Sequence, residues 1–325
     1  MLIVLLKLVA CYMYDGLRFA RAGHLFGSPF RSRAAAKAHL LRLSHSLEKG
    51  MALSTPRAGF GSKLTTCLVS DMESYVRRYG PDELTNCVLG IVEALLAYHK
   101  DRGVEWPELE RNTVAMRVRH AGLICSYMAP VGTVKIQRQQ IVMAAPVDPE
   151  AFFNLRRSVR QFSDIPISSE EIERAVKMAF RAPSVCNRQG AKLYVYTDSA
   201  DRERVLKFQD GNSGFGDHAS VVFVVTTDMS VFYKNGERNQ AFVDGGLFAM
   251  SLAMSLHAIG LGACMLNWAV GPRKDRPMRR ALGIPDNEVV ITLLVAGHLH
   301  PEFSVAASPR RPLNEVLVWN RTGVS

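Results

Sequence analysis

Arg156-Arg157-Ser158-Val159-Arg160-Gln161-Phe162 and, a little further on, Ala182-Pro183-Ser184-Val185-Cys186-Asn187-Arg188-Gln189 stand where the chain changes character. Upstream, helix follows helix; downstream, helices alternate with β-branched apolar runs. Three guanidinium groups fall within five residues, and a loop broken by Pro183 then adds a hydroxyl and two amides. Arginines can grip a phosphate bidentately, while Ser, Asn and Gln can hydrogen-bond the edge of a polar heterocycle. The pair of segments points to a phosphorylated ring cofactor held by mixed α and β structure.

Working forward, Ser168 or Ser169 followed by Glu170 and Glu171 is a helix start, with acidic groups favoured by the dipole, and the helix runs through Phe180. Lys192 to Thr197, Val221 to Thr227 and Val289 to Gly297 read as buried strands, and Gln240 to Ile259 as a long apolar helix. Helices alternating with strands imply an α/β or α+β sandwich over residues 151–325. Working backward, Ala34 to Leu47 has apolar residues at helical spacing, with Gly50 as terminator. Asp71 to Tyr79, Asp82 to Lys100 and Pro107 to Tyr127 continue the helical pattern. Residues 1–150 are therefore expected to form an all-α module, connected through the Gly- and Pro-bearing segment 131–149.

At 325 residues, 48% hydrophobic and 22% charged, the chain can bury a substantial core and is not expected to be disordered. Of its net +10, +6 falls in residues 1–50, where eight Lys and Arg face only Asp15 and Glu48. No nucleic-acid module accompanies this excess, so a solvated basic face is expected rather than a nucleic-acid partner. The run Met1 to Tyr14 is apolar except for Lys7, yet shorter than the ~20 residues that cross a bilayer. It reads as a helix docking on the body of the protein; contact with a membrane surface, aided by Arg18, Arg21, Arg31 and Arg33, is the alternative. Six cysteines without a CxxC pair argue against structural zinc and a disulfide framework, and suit a cytoplasmic protein. His298 and His300 make half a metal site with no completing ligand nearby. His45 and Lys49 share a helical face, which suits an anion or an ordinary surface.

The two opening motifs, the Gly260-Leu261-Gly262 segment leading to Leu266-Asn267-Trp268, and the late Arg310-Arg311 pair together resemble the FMN-dependent nitroreductase family from about Ala151 onward. The resemblance implies an α+β fold, a three-layer α-β-α sandwich, here preceded by the helical module, which forms a homodimer with flavin at the subunit interface. It implies that Arg156, Arg157, Ser158 and Arg160 contact the flavin, with Arg156 toward the phosphate and Arg160 toward the ring edge. The loop Pro183, Ser184, Asn187, Gln189 would reach the partner subunit's flavin; Gly190 stands where many members have proline. Leu266 and Asn267 would pass one flavin face, and Arg310 and Arg311 would complete the phosphate site. Trp268 stands where members often have a small or acidic residue, so it would stack on substrate or plug the pocket. The implied activity is an FMN oxidoreductase taking hydride from NAD(P)H and reducing a nitro compound, quinone or similar conjugated acceptor, with no catalytic side-chain base. Two other readings stay open: a flavin-binding accessory or regulatory protein, and a helical interaction protein with a degenerate reductase domain.

Overall fold

The computed structural model describes residues 2–23, 28–53, 56–119, 131–133, 147–306 and 312–319. Four helices pack together in the N-terminal half: α2 (Arg33–Met51), α3 (Ser62–Tyr79), α4 (Glu83–Lys100) and α5 (Pro107–Arg119). The Ser32 hydroxyl caps α2, whose buried Leu40, Leu43 and Leu47 meet Leu68, Met72 and Tyr75 of α3 and Val88, Leu89 and Leu95 of α4. Asp82 caps α4 in a reciprocal box with Thr85. Its carboxylate also accepts from the Tyr75 hydroxyl at 2.6 Å and pairs with Arg33 and Lys37, so one side chain joins three helices.

Two expected boundaries differ. Gly50 does not end α2 but lies inside it, because the Phe60 ring occupies the place a Cβ would take, 2.2 Å away. Helix α3 starts at Ser62, not Asp71. Its first turn follows Gly61, in a left-handed conformation (φ 82°), and contains Thr65 and Thr66, whose hydroxyls bond back to the carbonyls of Gly61 and Ser62. These polar, β-branched residues mask the helical pattern. The extension expected to Tyr127 lies outside the described residues beyond Arg119.

The first helix, α1 (Leu2–Ala22), docks on the C-terminal half. Phe19 is buried with Met229, Val231, Phe232 and Val289, in a cluster that also takes Ala38 of α2. The helical residues before 150 therefore contribute to two packing units, and the shared cluster seals the two halves.

After the short helix α6 (Pro149–Leu155) the C-terminal half forms a four-stranded sheet: β1 (Ala191–Tyr196), β2 (Val221–Asp228), β3 (Leu261–Asn267) and β4 (Glu288–His298). The order is β1-β2-β4-β3, with every pairing antiparallel. Strand β2 is buried along its whole length, and its alternation divides two cores. Val221, Phe223 and Val225 meet α7 (Ser169–Ala179) and α9 (Gln240–Ala258). Val222 and Val224 meet residues from α8 (Ser199–Leu206) and α10 (Pro272–Ala281). Helices cover both faces of an antiparallel sheet, so the fold is α+β in three layers. The limits of α7, α9, β1, β2 and β4 fall within a residue or so of those expected from the sequence, whereas α8 and α10 were not expected.

Candidate functional site

The segment from Arg156 to Ser163 meets the outer edge of β3 and then the end of β4. Ser158 pairs in parallel with Ala263, the Val159 N–H donates to the Ala263 carbonyl at 3.0 Å, and the Ser163 N–H donates to the His298 carbonyl at 2.9 Å. Arg156, Ser158 and Arg160 all lie close enough to Cys264 of β3 to influence its thiol. Burial pushes the Cys264 thiol above its usual value, while the Arg160 charge, a hydrogen bond with Ser158 and the Arg156 charge pull the other way. Val159, between them, is buried in the core.

Arg160 opens onto a cleft of about 410 Å³ lined also by Gln209, Cys264, Leu266, Asn267 and Trp268. Its guanidinium lies 5.6 Å from the centroid of the Phe215 ring. Gln209 braces the cleft: its amide donates to the Asn267 carbonyl at 3.1 Å, and its side-chain oxygen accepts from the Gly211 N–H at 2.6 Å. The Asn267 side-chain oxygen accepts from the Ala269 N–H, and Leu266 is buried. Arg156 and Arg157 line a smaller cleft, of about 250 Å³, with His257 and Ala263.

Trp268 lines the larger cleft but is only 9% exposed and belongs to the apolar core beneath it. Its indole N–H donates at 3.1 Å to Asp275 of α10, which also accepts from the Tyr14 hydroxyl of α1 at 2.6 Å and from Arg279 at 2.9 Å. The Asp275 carboxyl stays below its usual range: burial alone would raise it, but the hydrogen bonds from Tyr14, Arg279 and Trp268 and the Arg18 charge outweigh that. Trp268 is thus a packed and tethered wall, and its Asp275 anchor connects the cleft to α1.

The second motif follows α7. The Ser184 hydroxyl accepts from the Gln189 N–H at 3.0 Å, and the Gln189 side-chain amide donates to the Asn187 carbonyl at 3.2 Å. The Val185 N–H donates to both carboxylate oxygens of Asp244, at 3.2 and 3.3 Å, and Gln240 donates to the same carboxylate at 2.8 Å. Cys186, Asn187 and Gln189 have φ of 48°, 53° and 53°, and are the positive-φ residues other than glycine among those described. Arg188 is buried, donating to the Val231 carbonyl at 3.0 Å and to Glu237 at 2.8 Å. Pro183 is exposed. A Cβ on Gly190 would meet Val231 at 2.9 Å, which accounts for glycine at that position.

Arg156, Ser158, Arg160, Leu266, Asn267 and Trp268 thus gather along β3, whereas the Ser184–Gln189 loop enters β1, the opposite edge of the sheet. Arg310 and Arg311 lie outside the described residues. His298 stands 3.4 Å from Glu171, at an ion-pair distance. Asp244, Gln209 and Phe215 are supporting residues that the motif reading missed. Asp244 had a visible signal, as the sole carboxylate of an otherwise apolar helix.

A helix-covered antiparallel sheet with a basic segment along one edge strand defines an α+β sandwich whose cleft is suited to an anionic ligand. The nitroreductase family model matches residues 155–210 and 204–298. A putative NADH dehydrogenase/NAD(P)H nitroreductase of Archaeoglobus fulgidus is 32% identical over 148 residues, covering 44% of this chain and 80% of that protein. An NADPH-flavin oxidoreductase of Vibrio harveyi is 25% identical over 175 residues (51% and 70%), and an FMN reductase (NADPH) of Bacillus subtilis 24% identical over 184 residues (52% and 72%). The chain belongs to the nitroreductase family.

Proposed function

We propose that this protein is an FMN-dependent oxidoreductase that takes electrons from NAD(P)H and passes them to a nitro compound, quinone or similar conjugated acceptor. The observation that carries the reading is the pair of basic clefts on edge strand β3, the 410 Å³ cleft that Arg160 shares with Leu266, Asn267 and Trp268 and the 250 Å³ cleft that Arg156 and Arg157 share with Ala263. The donor set fits FMN: guanidinium groups for a phosphate and an electron-rich ring edge, a hydroxyl, and a cleft within the usual ~300–1,000 Å³ of small-molecule sites. Bound FMN would supply the two-electron chemistry. The chain's own residues would do the rest. Arg156 would hold the phosphate, Arg160 would favour negative charge at the ring edge, and Gln209 would fix the Asn267 backbone that borders the ring. The names of the relatives, which include an NADPH-flavin oxidoreductase and an FMN reductase, support the same reading.

A homodimer is part of this proposal. The strained loop and the arginine segment lie on opposite sheet edges, and a second copy would bring one chain's loop to the other's cleft. Helix α9 offers a surface for it, since Phe242, Val243, Leu247 and Met250 are all exposed, 42–51%. We further propose a cytoplasmic location. The test is direct: heat-released supernatant of the purified protein should contain FMN, and its absorbance should bleach with NADH or NADPH under anaerobic conditions. A colourless protein that takes up no added FMN would refute the proposal and favour a degenerate reductase domain; flavin that binds but never bleaches would favour the accessory role.

A further inference from the structure

We propose that the cleft between α1 and α10 is a binding site for the phosphate group of a phosphate ester, separate from the Arg160 cleft. This cleft has a volume of about 660 Å³ and is lined by Arg18, Arg21, Arg276, Arg279 and Arg280, with Asp286 as the carboxylate at its rim. Arg279 is committed to the protein, bonded to Asp275, Asp286 and the Tyr14 hydroxyl. Arg18, whose side chain is 9% exposed, donates to the Glu288 carbonyl and stands 3.6 Å from Asp275. Its Nε is buried with no acceptor. Arg21, Arg276 and Arg280 are exposed and, among the described residues, form no ion pair within 4.0 Å.

Charge counting gives the ligand class. Five arginines line the cleft, while Asp275, Asp286 and the nearby Asp15 supply three carboxylates, which leaves an excess of two positive charges (5 − 3). A phosphate monoester carries about −1.5 to −2 at neutral pH and presents three acceptor oxygens, which suits forked guanidinium donors. Burial, then the neighbouring Arg279, push the Arg18 guanidinium below its ordinary value against the pull of Asp275. The Tyr14 ring lies 5.3 Å from the Arg18 guanidinium and 4.8 Å from that of Arg276, and so helps position them.

The cleft also has an apolar wall, of Leu17, Ala22 and Ile284. Leu17 ends an exposed stripe on α1 that runs through Leu6, Val9 and Met13. The same chemistry could therefore be met by a soluble phosphate ester or by an anionic phospholipid headgroup.

The experiment uses the full chain as purified with its flavin, with unbound FMN removed, and two probes: inorganic pyrophosphate by calorimetry, and sedimentation with phosphatidylcholine vesicles with or without phosphatidylglycerol. The variant Arg21→Ala/Arg280→Ala changes exposed side chains outside the Asp275 network, so it should melt as wild type does. It should weaken binding of the responding probe by about tenfold or more, the loss expected for a charge-assisted contact. Arg156→Ala, in the other basic segment, should leave that binding unchanged. Pyrophosphate binding with this pattern assigns a soluble phosphate ester. Sedimentation that needs both phosphatidylglycerol and these arginines assigns a headgroup. No binding of either probe, binding indifferent to the double variant, or equal loss in Arg156→Ala would overturn the proposal.

Discussion

Replacing Asp275 with alanine should destabilise the protein more than any exposed-site change, and the structure gives the size of the effect. The carboxylate accepts from Tyr14, Arg279 and Trp268 and lies 3.6 Å from Arg18. The side chains of Arg18, Arg279 and Asp275 are 9%, 5% and 8% exposed. Alanine would leave two guanidinium groups in a nearly dry site without their shared counter-ion. Removing one partner of a buried pair costs about 3–5 kcal/mol. At roughly 2–4 °C per kcal/mol for a domain of 150–250 residues, the melting temperature should fall by about 6–20 °C. Asp275→Asn keeps the shape and one acceptor and should lose less. Circular dichroism melts over a pH series provide the assay, and the sign is fixed by the depressed carboxyl. A group held below its ordinary value, here 3.8, contributes fully above that value and loses its contribution as pH falls through its folded value. The gap between wild type and Asp275→Asn should therefore hold steady from neutral pH and close in acid. An alanine variant within about 2 °C of wild type, or a gap that widens on acidification, would refute the reasoning.

Arg156→Ala should weaken FMN binding about tenfold to over a hundredfold, as for loss of a charge-assisted contact of roughly 1.5–3 kcal/mol; fluorescence titration with FMN reads it. Trp268→Ala should cost ~3–5 kcal/mol of stability as a core truncation, and steady-state assays should show no wider range of acceptors. A broadened range with unchanged melting would restore Trp268 as a gate. Cys264, buried and with its thiol pushed upward, should resist iodoacetamide at neutral pH while exposed Cys67 reacts, as mass spectrometry of the labelled peptides will show.

Local features of the fold were legible because local chemistry sets them. The Ser168–Glu171 capping box, the β-branched run of β2 and the apolar span of α9 were each readable at close to their observed limits. Strand order and direction were not, since a strand buried on both faces carries no polar side to mark its orientation. The site divided in the same way. Arg156, Ser158 and Arg160 could be picked out from type and spacing, but only the fold shows that Arg156 and Arg160 line two different clefts. The partner of α1 could not: Tyr14 and Asp275 are 261 positions apart, and neither stands in a motif. Trp268 was read by its position in a motif, whereas its role in the structure follows from the carboxylate that holds its indole. Asp244 was visible as a lone charge in an apolar helix, but only the folded chain shows that it receives the Val185 amide.

The left-handed conformations of Cys186, Asn187 and Gln189 bear on the thermodynamics of recognition. Each such conformation in a residue with a Cβ costs about 1–2 kcal/mol, somewhat less for asparagine. The Ser184 hydroxyl and the Asp244 carboxylate offset that cost through hydrogen bonds made when the chain folds. The loop is therefore shaped before any ligand arrives, and a ligand that meets it need not supply the entropy of ordering it. Glycine at 186 or 187 would relieve the backbone and enlarge the ensemble of free loop shapes. Such a change should show first as a slower association rate.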